Sequence, residues 1–294
     1  MKKIIRKIRV FILKVSIRLP FILSDETFLK VKYKVNIGKN LNLNNPTTFN
    51  EKLQWLKLYD RKPEYSLMVD KYEAKRIAAN IIGSEHIIPT FGVWDSFDEI
   101  DFNILPNQFV LKTTHGCGGI VICKDKSTFD KGKAKKIILK SLKRNHYVYE
   151  KEWPYKNVKR RIIAEKYMVD ESGTELKDYK FFCFDSVPKF MFIVTGRPHD
   201  TRFDFFDMDF NHLPFTHGYP NSSKPTMKPQ SFEKMKEMAS KLSNNMAHLR
   251  VDFYDINGHV YFGELTFSHH GGFVPFKPEI WDHKFGDMLS LPKK

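Results

Sequence analysis

Four short stretches of this chain combine residue types that can handle phosphate, nucleotide or a divalent cation. The most specific lies near the C-terminus. Arg250-Val251-Asp252-Phe253-Tyr254 and Phe262-Gly263-Glu264-Leu265-Thr266 flank Asn257-Gly258, a dipeptide that favours a two-residue hairpin turn. Arg250 and Asp252 are two apart, so on a strand they share a face. Folding back through the turn can bring Glu264 beside Asp252, or one residue pair along, still on that face. Two carboxylates side by side repel unless a cation separates them. Oxygen-only ligation suits Mg²⁺ bridging nucleotide phosphates. A surface hairpin in which Arg250 simply neutralises Asp252 reads the same way.

The second stretch is Phe109-Val110-Leu111-Lys112-Thr113-Thr114-His115-Gly116-Cys117-Gly118-Gly119-Ile120. A strand ends in a lysine, a Gly-rich loop follows, and another strand continues to Lys124. Backbone N–H groups of such a loop can approach phosphate oxygens while the lysine neutralises them. The GxxxxGK[ST] pattern is absent, and no helix follows as it would in a dinucleotide fingerprint. A plain Gly-rich hairpin turn has the same appearance. The third stretch, Ile162-Ile163-Ala164-Glu165-Lys166-Tyr167-Met168, is a strand end that can offer backbone groups to adenine or be nothing more than a strand end. The fourth, Asp178-Tyr179-Lys180-Phe181-Phe182, places Asp178, Lys180 and Phe182 on one strand face. That face suits ribose and phosphate, or a cross-strand ion pair.

The elements that must position these groups follow from pattern. Thr48 and Glu51 have capping-box spacing, and Leu53, Leu56 and Leu58 supply an apolar face, which predicts a helix from Thr48. Helices are also predicted over 67–82, 130–147 and 231–247. Strands are predicted at 87–94, 106–111, 161–168, 178–184, 188–195, 202–208, 249–255 and 259–265. Helices come early and antiparallel strands late, an α+β arrangement.

The chain has 294 residues, 41% hydrophobic and 14% aromatic, which excludes wholesale disorder. Its net charge of +15 is uneven: residues 1–40 hold eleven basic and two acidic side chains. Placed on a wheel at about 100° per residue, Ile4, Ile5, Ile8, Phe11, Ile12, Val15 and Leu19 form one arc. Lys2, Lys3, Arg6, Lys7, Arg9, Lys14 and Arg18 fall outside it. This is the pattern of a helix lying on an anionic leaflet, or of one packed on its own domain with solvated charges. Pro20 is expected to end it, and Ser24 to cap the next helix. No apolar run approaches bilayer length, and Leu19-Pro20-Phe21-Ile22-Leu23 lacks a signal-peptide cleavage pattern. Cys117, Cys123 and Cys183 show no paired spacing, as expected for reduced thiols in a cytoplasm. Nothing calls for nucleic acid.

The order of the motifs resembles the ATP-grasp superfamily: a strand lysine before a Gly-rich loop, a Glu-Lys-aromatic hinge, Arg-x-Asp, then Glu-x-Thr. The likeness narrows to the teichuronopeptide-biosynthesis (TupA-like) branch found with cell-surface polysaccharide genes. It is carried by Ser24-Asp25-Glu26, Pro46 to Lys57, Asp70-Lys71-Tyr72, Phe109 to Lys112, Asp178 to Phe184 and Glu264 to Thr266, and spans about residues 24–290. The resemblance implies an ATP-grasp fold with nucleotide held between two α+β subdomains. It implies ATP phosphates on Lys71 and Lys112, a flap of His115, Gly116, Gly118 and Gly119, and an adenine hinge of Glu165, Lys166, Tyr167 and Met168. Asp178 would hold ribose, Lys180 would lie near phosphate, Asp252 and Glu264 would bind Mg²⁺, and Arg250 would stabilise an acyl-phosphate or its transition state. Thr266 stands where the superfamily has Asn and can offer one oxygen to metal. The wheel pattern gives a basic amphipathic membrane-surface helix at 1–23; the divisions the resemblance implies after it are an N-terminal region at 24–108, a small subdomain with the Gly-rich flap at 109–168 and a C-terminal subdomain with the Mg²⁺ site at 169–294.

The implied activity is an ATP- and Mg²⁺-dependent amide ligase, joining an amino acid or other amine to a carboxylate. A uronic acid of a surface glycan, or of its lipid-linked precursor at the inner face of the cell membrane, is the expected partner. Ser268-His269-His270-Gly271-Gly272-Phe273 is the expected acceptor wall; adjacent histidines rarely aim at one metal. Rival readings are a glycan kinase on the same fold, a non-catalytic assembly protein, and a glycosyltransferase using Asp207-Met208-Asp209.

Overall fold

Local capping builds the helical half. The computed structural model describes residues 2–19, 21–173 and 175–293. α1 (Lys2–Arg18) is followed by α2 (Asp25–Asn36), whose N-cap Ser24 accepts from the Thr27 N–H. Pro20, expected to end the first helix, lies outside the described residues. α3 (Phe49–Tyr59) starts on the expected capping box, with both reciprocal Thr48–Glu51 hydrogen bonds present. The expected helix over 67–82 is two: α4 (Tyr65–Val69) and α5 (Lys71–Ile82). Asp70 separates them, because its extended backbone lets its carboxylate accept from the Tyr72 and Glu73 N–H groups and restart the helix.

Sheet residues follow. β1 (Thr90–Trp94), β2 (Phe109–Thr113), β3 (Ile120–Cys123) and β4 (Ile162–Lys166) form an antiparallel sheet in the order β1-β4-β2-β3. Its helical cover is α6 (Lys131–Leu142), followed by the single turn α7 (His146–Glu150). The helix expected over 130–147 therefore ends early, since Asn145 leaves the helix and caps α7 by accepting from the Tyr147 N–H. β5 (Asp178–Phe184), β6 (Val187–Thr195), β7 (Arg202–Asp207), β9 (His248–Ile256) and β10 (His259–Thr266) make a second antiparallel sheet, ordered β10-β9-β5-β6-β7. β8 (Thr216–His217) pairs β11 (Phe276–Lys277), and α8 (Phe232–Leu242) and α9 (Ile280–Met288) complete the chain.

Strand alternation gives the five-stranded sheet two covered faces. Phe181, Val251 and Phe253 point to one, against Ala74 and Ala78 of α5 and Met235 and Ala239 of α8. Phe182, Phe192 and Phe205 point to the other, against Phe49 and Leu53 of α3 and Phe285 of α9. Burying each such aromatic contributes about 1.5–3 kcal/mol. Lys180 and Asp252 are in phase with Phe182, so the charged groups share a sheet face with an aromatic core.

Candidate active site

The hairpin turns through Asn257 and Gly258, both at positive φ (53° and 79°), as the dipeptide indicates. A two-residue turn followed by strict pairing would set Gly263 opposite Asp252 and turn Glu264 toward the core. A β-bulge between Phe262 and Glu264 corrects the phase. Glu264 lies opposite Asp252, and Thr266 opposite Arg250. The glycine at the bulge is required by closeness: a Cβ on Gly263 would sit 2.9 Å from the Asp252 carbonyl oxygen. On the other side of β9, β5 sets Lys180 opposite Asp252.

Arg250 is the hub. Its Nε and Nη2 donate to the two Asp252 carboxylate oxygens, both at 2.7 Å. Nη2 also donates to Glu264 Oε1 at 3.1 Å and to Thr266 Oγ1 at 2.9 Å. Nη1 donates to His269 Nδ1 at 2.7 Å, which places the His269 proton on Nε2, since arginine has no acceptor. Burial and nearby cations hold His269 neutral, well below the ordinary histidine range. Its Nε2 is buried with no partner among the described residues. Lys180 pairs with Asp252 and, at 3.0 Å, with Asp178, which also pairs with Arg197. Lys71 Nζ lies 3.5 Å from Glu264 Oε2. Burial pushes the Glu264 carboxyl upward, but Lys71, Lys180 and Arg250 overcome this and keep it ionised far below the usual range. Its side chain is nonetheless 41% exposed, so this carboxylate is open to an incoming ligand.

A second cluster stands on the four-stranded sheet. Glu165 pairs with Lys75 and Lys112, each at 2.6 Å. Burial raises its pKa, yet the two lysines bring it down to about 2. Lys75 is further tied to the Ile88 carbonyl at 2.8 Å and Thr90 Oγ1 at 3.1 Å. Lys112 is partly exposed; burial pulls its ammonium down, but Glu165, and beyond it Glu264 and Asp178, hold it above the ordinary value. These last two carboxylates join the clusters electrostatically. The Lys71 N–H also donates to the Thr114 carbonyl at 3.0 Å, tying α5 to the Gly-rich loop.

The structure thus brings together Lys71, Lys112, Lys180, Arg250, Glu165, Asp178, Asp252, Glu264 and Thr266. His115 is not among them: its imidazole is buried, with Nε2 3.2 Å from the Arg144 carbonyl, and burial lowers its pKa. Gly116 and Gly118 lie in the same loop, and a Cβ on Gly119 would meet Ser141 at 2.4 Å. Glu165 turns its carboxylate to the lysines. The Lys166 N–H is bonded to the Pro89 carbonyl at 3.0 Å, and Tyr167 and Met168 are half-buried just beyond. Asp207 accepts from the Asp209 and Asn211 N–H groups, so its carboxylate serves a turn.

Sequence reasoning missed Lys75, Arg197 and the Arg250–His269 contact. It also missed the work of α3. Asn50 donates to Asp282, and Lys52 to the Gly286 and Leu289 carbonyls. Gln54 and Lys57 donate to the Gly271 carbonyl, and Gln54 to that of Gly272, holding the Ser268–Phe273 wall. Polar residues scattered all round a helix of known apolar face were the available signal.

Among the described residues no group of three or more His, Cys, Asp or Glu is arranged to hold a metal. Two carboxylates and a hydroxyl do converge on one guanidinium nitrogen, and that all-oxygen set fits Mg²⁺.

No curated protein matches the sequence. Similar solved structures include a D-alanine–D-alanine ligase from Helicobacter pylori, at 15% identity and TM-score 0.44, covering 82% of this chain and 69% of that one. An ADP complex of PurK, N5-carboxyaminoimidazole ribonucleotide synthetase, matches at 14% identity and TM-score 0.48, over 85% of this chain and 59% of that one. The ATP-grasp ligase PsnB, complexed with minimal precursor, Mg and ADP, matches at 8% identity and TM-score 0.41, over 74% and 57%. The chain therefore spans less than two thirds of the length of the last two. Residues 51–290 match the model of the TupA-like ATP-grasp proteins, a range that starts after Ser24-Asp25-Glu26. By that match over most of its length, the chain belongs to the TupA-like ATP-grasp family.

Proposed function

We propose that the protein is an ATP- and Mg²⁺-dependent carboxylate–amine ligase. The observation that carries the reading is the convergence of four cations, Lys71, Lys112, Lys180 and Arg250, with Asp252 and Glu264 around one open-sided cluster. Counting Lys75 and Arg197, six cationic side chains meet the four carboxylates Glu165, Asp178, Asp252 and Glu264. The excess of two positive charges complements the charge of Mg·ATP.

Lys71 and Lys112 neutralise the nucleotide phosphates, with Lys180 beside them. Asp178 takes the ribose, and the hinge from Glu165 through Lys166 and Tyr167 to Met168 borders the adenine. The Gly-rich loop from His115 to Gly119 covers the phosphates through its backbone. Asp252, Glu264 and Thr266 would hold Mg²⁺, which supplies charge neutralisation across the phosphates when bound. The substrate carboxylate oxygen attacks the γ-phosphorus and ADP leaves. The amine nitrogen then attacks the acyl carbon, the C–O bond to phosphate breaks, and the amine proton leaves to solvent. Arg250 stabilises charge on the acyl-phosphate and on its transition state. The carboxylate belongs to a uronic acid of a cell-surface glycan or its precursor, and the amine to an amino acid. In this reading 24–108 is an N-terminal region, 109–168 the small subdomain and 169–294 the metal-bearing one.

Incubating the protein with ATP, Mg²⁺, uronic-acid glycans and amino acids tests the reading. Phosphate release that requires both carboxylate and amine, with a condensation product by mass spectrometry, is the expected result. Phosphorylated glycan formed without amine would instead establish a kinase.

A further inference from the structure

α1 touches its own domain with the wrong face for a core helix. Leu13 and Ser16 are buried and Ile17 is partly so, joined to Phe28, Leu29 and Tyr33 of α2 and to Phe273. On a helix turning about 100° per residue, Leu13 and Ile17 lie roughly 140–180° from the middle of the apolar arc. That arc therefore points outward. Phe11 is 67% exposed, Ile4 63% and Ile8 53%, and Ile5, Ile12 and Leu19 are exposed with them. Phe21, at 81%, and Ile22 extend the apolar surface past the helix. Soluble monomers rarely leave so continuous an apolar surface uncovered.

We propose that this outward face of α1 docks the protein on an anionic lipid bilayer surface. Charge complementarity selects the occupant. α1 carries seven cations and no acid. Lys3, Lys7, Lys14 and Arg18 border the arc on one side and Arg9 on the other, the level at which lipid phosphates lie when the apolar residues enter the acyl boundary. A second copy of the helix would bring the same cations against these, a repulsive arrangement. Among the described residues no helix is long and apolar enough to cross a membrane, so the contact is peripheral.

The contact has a fixed geometry. Lys32 of α2 donates to the Tyr149 carbonyl at 2.6 Å, pairs with Glu150 at 2.7 Å, and lies over the Phe273 ring. Phe273 closes the turn that carries His269, the partner of Arg250. Docking by α1 thus sets how the His269–Phe273 turn faces the bilayer. The inference stands on α1 alone and does not need the ligase reading.

Flotation of the full chain with vesicles tests it. Wild type is expected to float with phosphatidylcholine vesicles containing phosphatidylglycerol, to stay behind with phosphatidylcholine alone, and to be released by high salt. Ile8→Glu combined with Phe11→Glu is expected to weaken binding by about tenfold or more, because two apolar contacts with the acyl boundary are lost. Both side chains are exposed, so an unchanged melting temperature shows that folding is intact. Equal binding of the variant, or equal binding to neutral vesicles, overturns the proposal. So does a dimer in solution that the double substitution dissociates, with no vesicle binding.

Discussion

Two buried carboxylates of the candidate site, Glu165 and Asp252, are each held by two cations, yet their surroundings differ. Glu165 sits in a closed clamp: one of its lysines, Lys75, is also bound to the Ile88 carbonyl and the Thr90 hydroxyl. Asp252 belongs to an open one: its arginine also reaches Glu264 and Thr266, and Glu264 faces solvent. A closed clamp can only position what it holds, here Lys112. An open clamp can exchange a protein cation for an arriving one. The same pairing chemistry thus closes one clamp and leaves the other open to solvent at Glu264.

Substitutions separate the two roles. Glu165→Gln leaves buried Lys75 and partly exposed Lys112 without their counter-charge and is expected to cost about 3–5 kcal/mol of stability, read by denaturant unfolding. Glu264→Gln is expected to lower ATP-driven turnover by about 10²-fold, read by phosphate release, while stability shifts by less than about 1 kcal/mol. Equal stability losses in the two variants would erase the distinction. A smaller effect is pH dependence. The Glu165 pKa is depressed in the fold, so its contribution is fully present above the unfolded value of 4.5 and lost as pH falls toward about 2. Acid unfolding of wild type should steepen in that window, and Glu165→Gln should flatten it. The smallest is Gly258→Ala, at positive φ in the turn, expected to cost about 1 kcal/mol in a thermal melt with turnover nearly unchanged.

Features written in neighbouring residues were legible. The Thr48–Glu51 capping box, the Asn257-Gly258 turn, and the common face of Asp178, Lys180 and Phe182 all stand as the spacing indicates. Features that depend on distant partners were not. Nothing in Ile162 to Met168 says that Glu165 meets a lysine on α5, some ninety residues earlier. The arc on α1 was readable, but its direction was not, because Leu13 and Ile17 are as apolar as the residues that face outward. Of the two registers the hairpin allowed for Glu264, the one directly opposite Asp252 is found. It needed a bulge, and an extra residue in a ladder leaves no mark in composition beyond a glycine.

That bulge acts on side chains as a frameshift acts on codons. Everything C-terminal to Gly263 on its strand is read one step out of phase with the residues nearer the turn, so Glu264 and Thr266 reach Arg250 while Leu265 enters the core. Adding one residue between the turn and Glu264 would swap those sets, turning leucine toward the charged cluster and a carboxylate toward the core, whereas deleting Gly263 would remove the bulge and leave Glu264 opposite Asp252. An insertion of two would restore the frame, so this hairpin can grow only by even steps but can lose its one bulged residue.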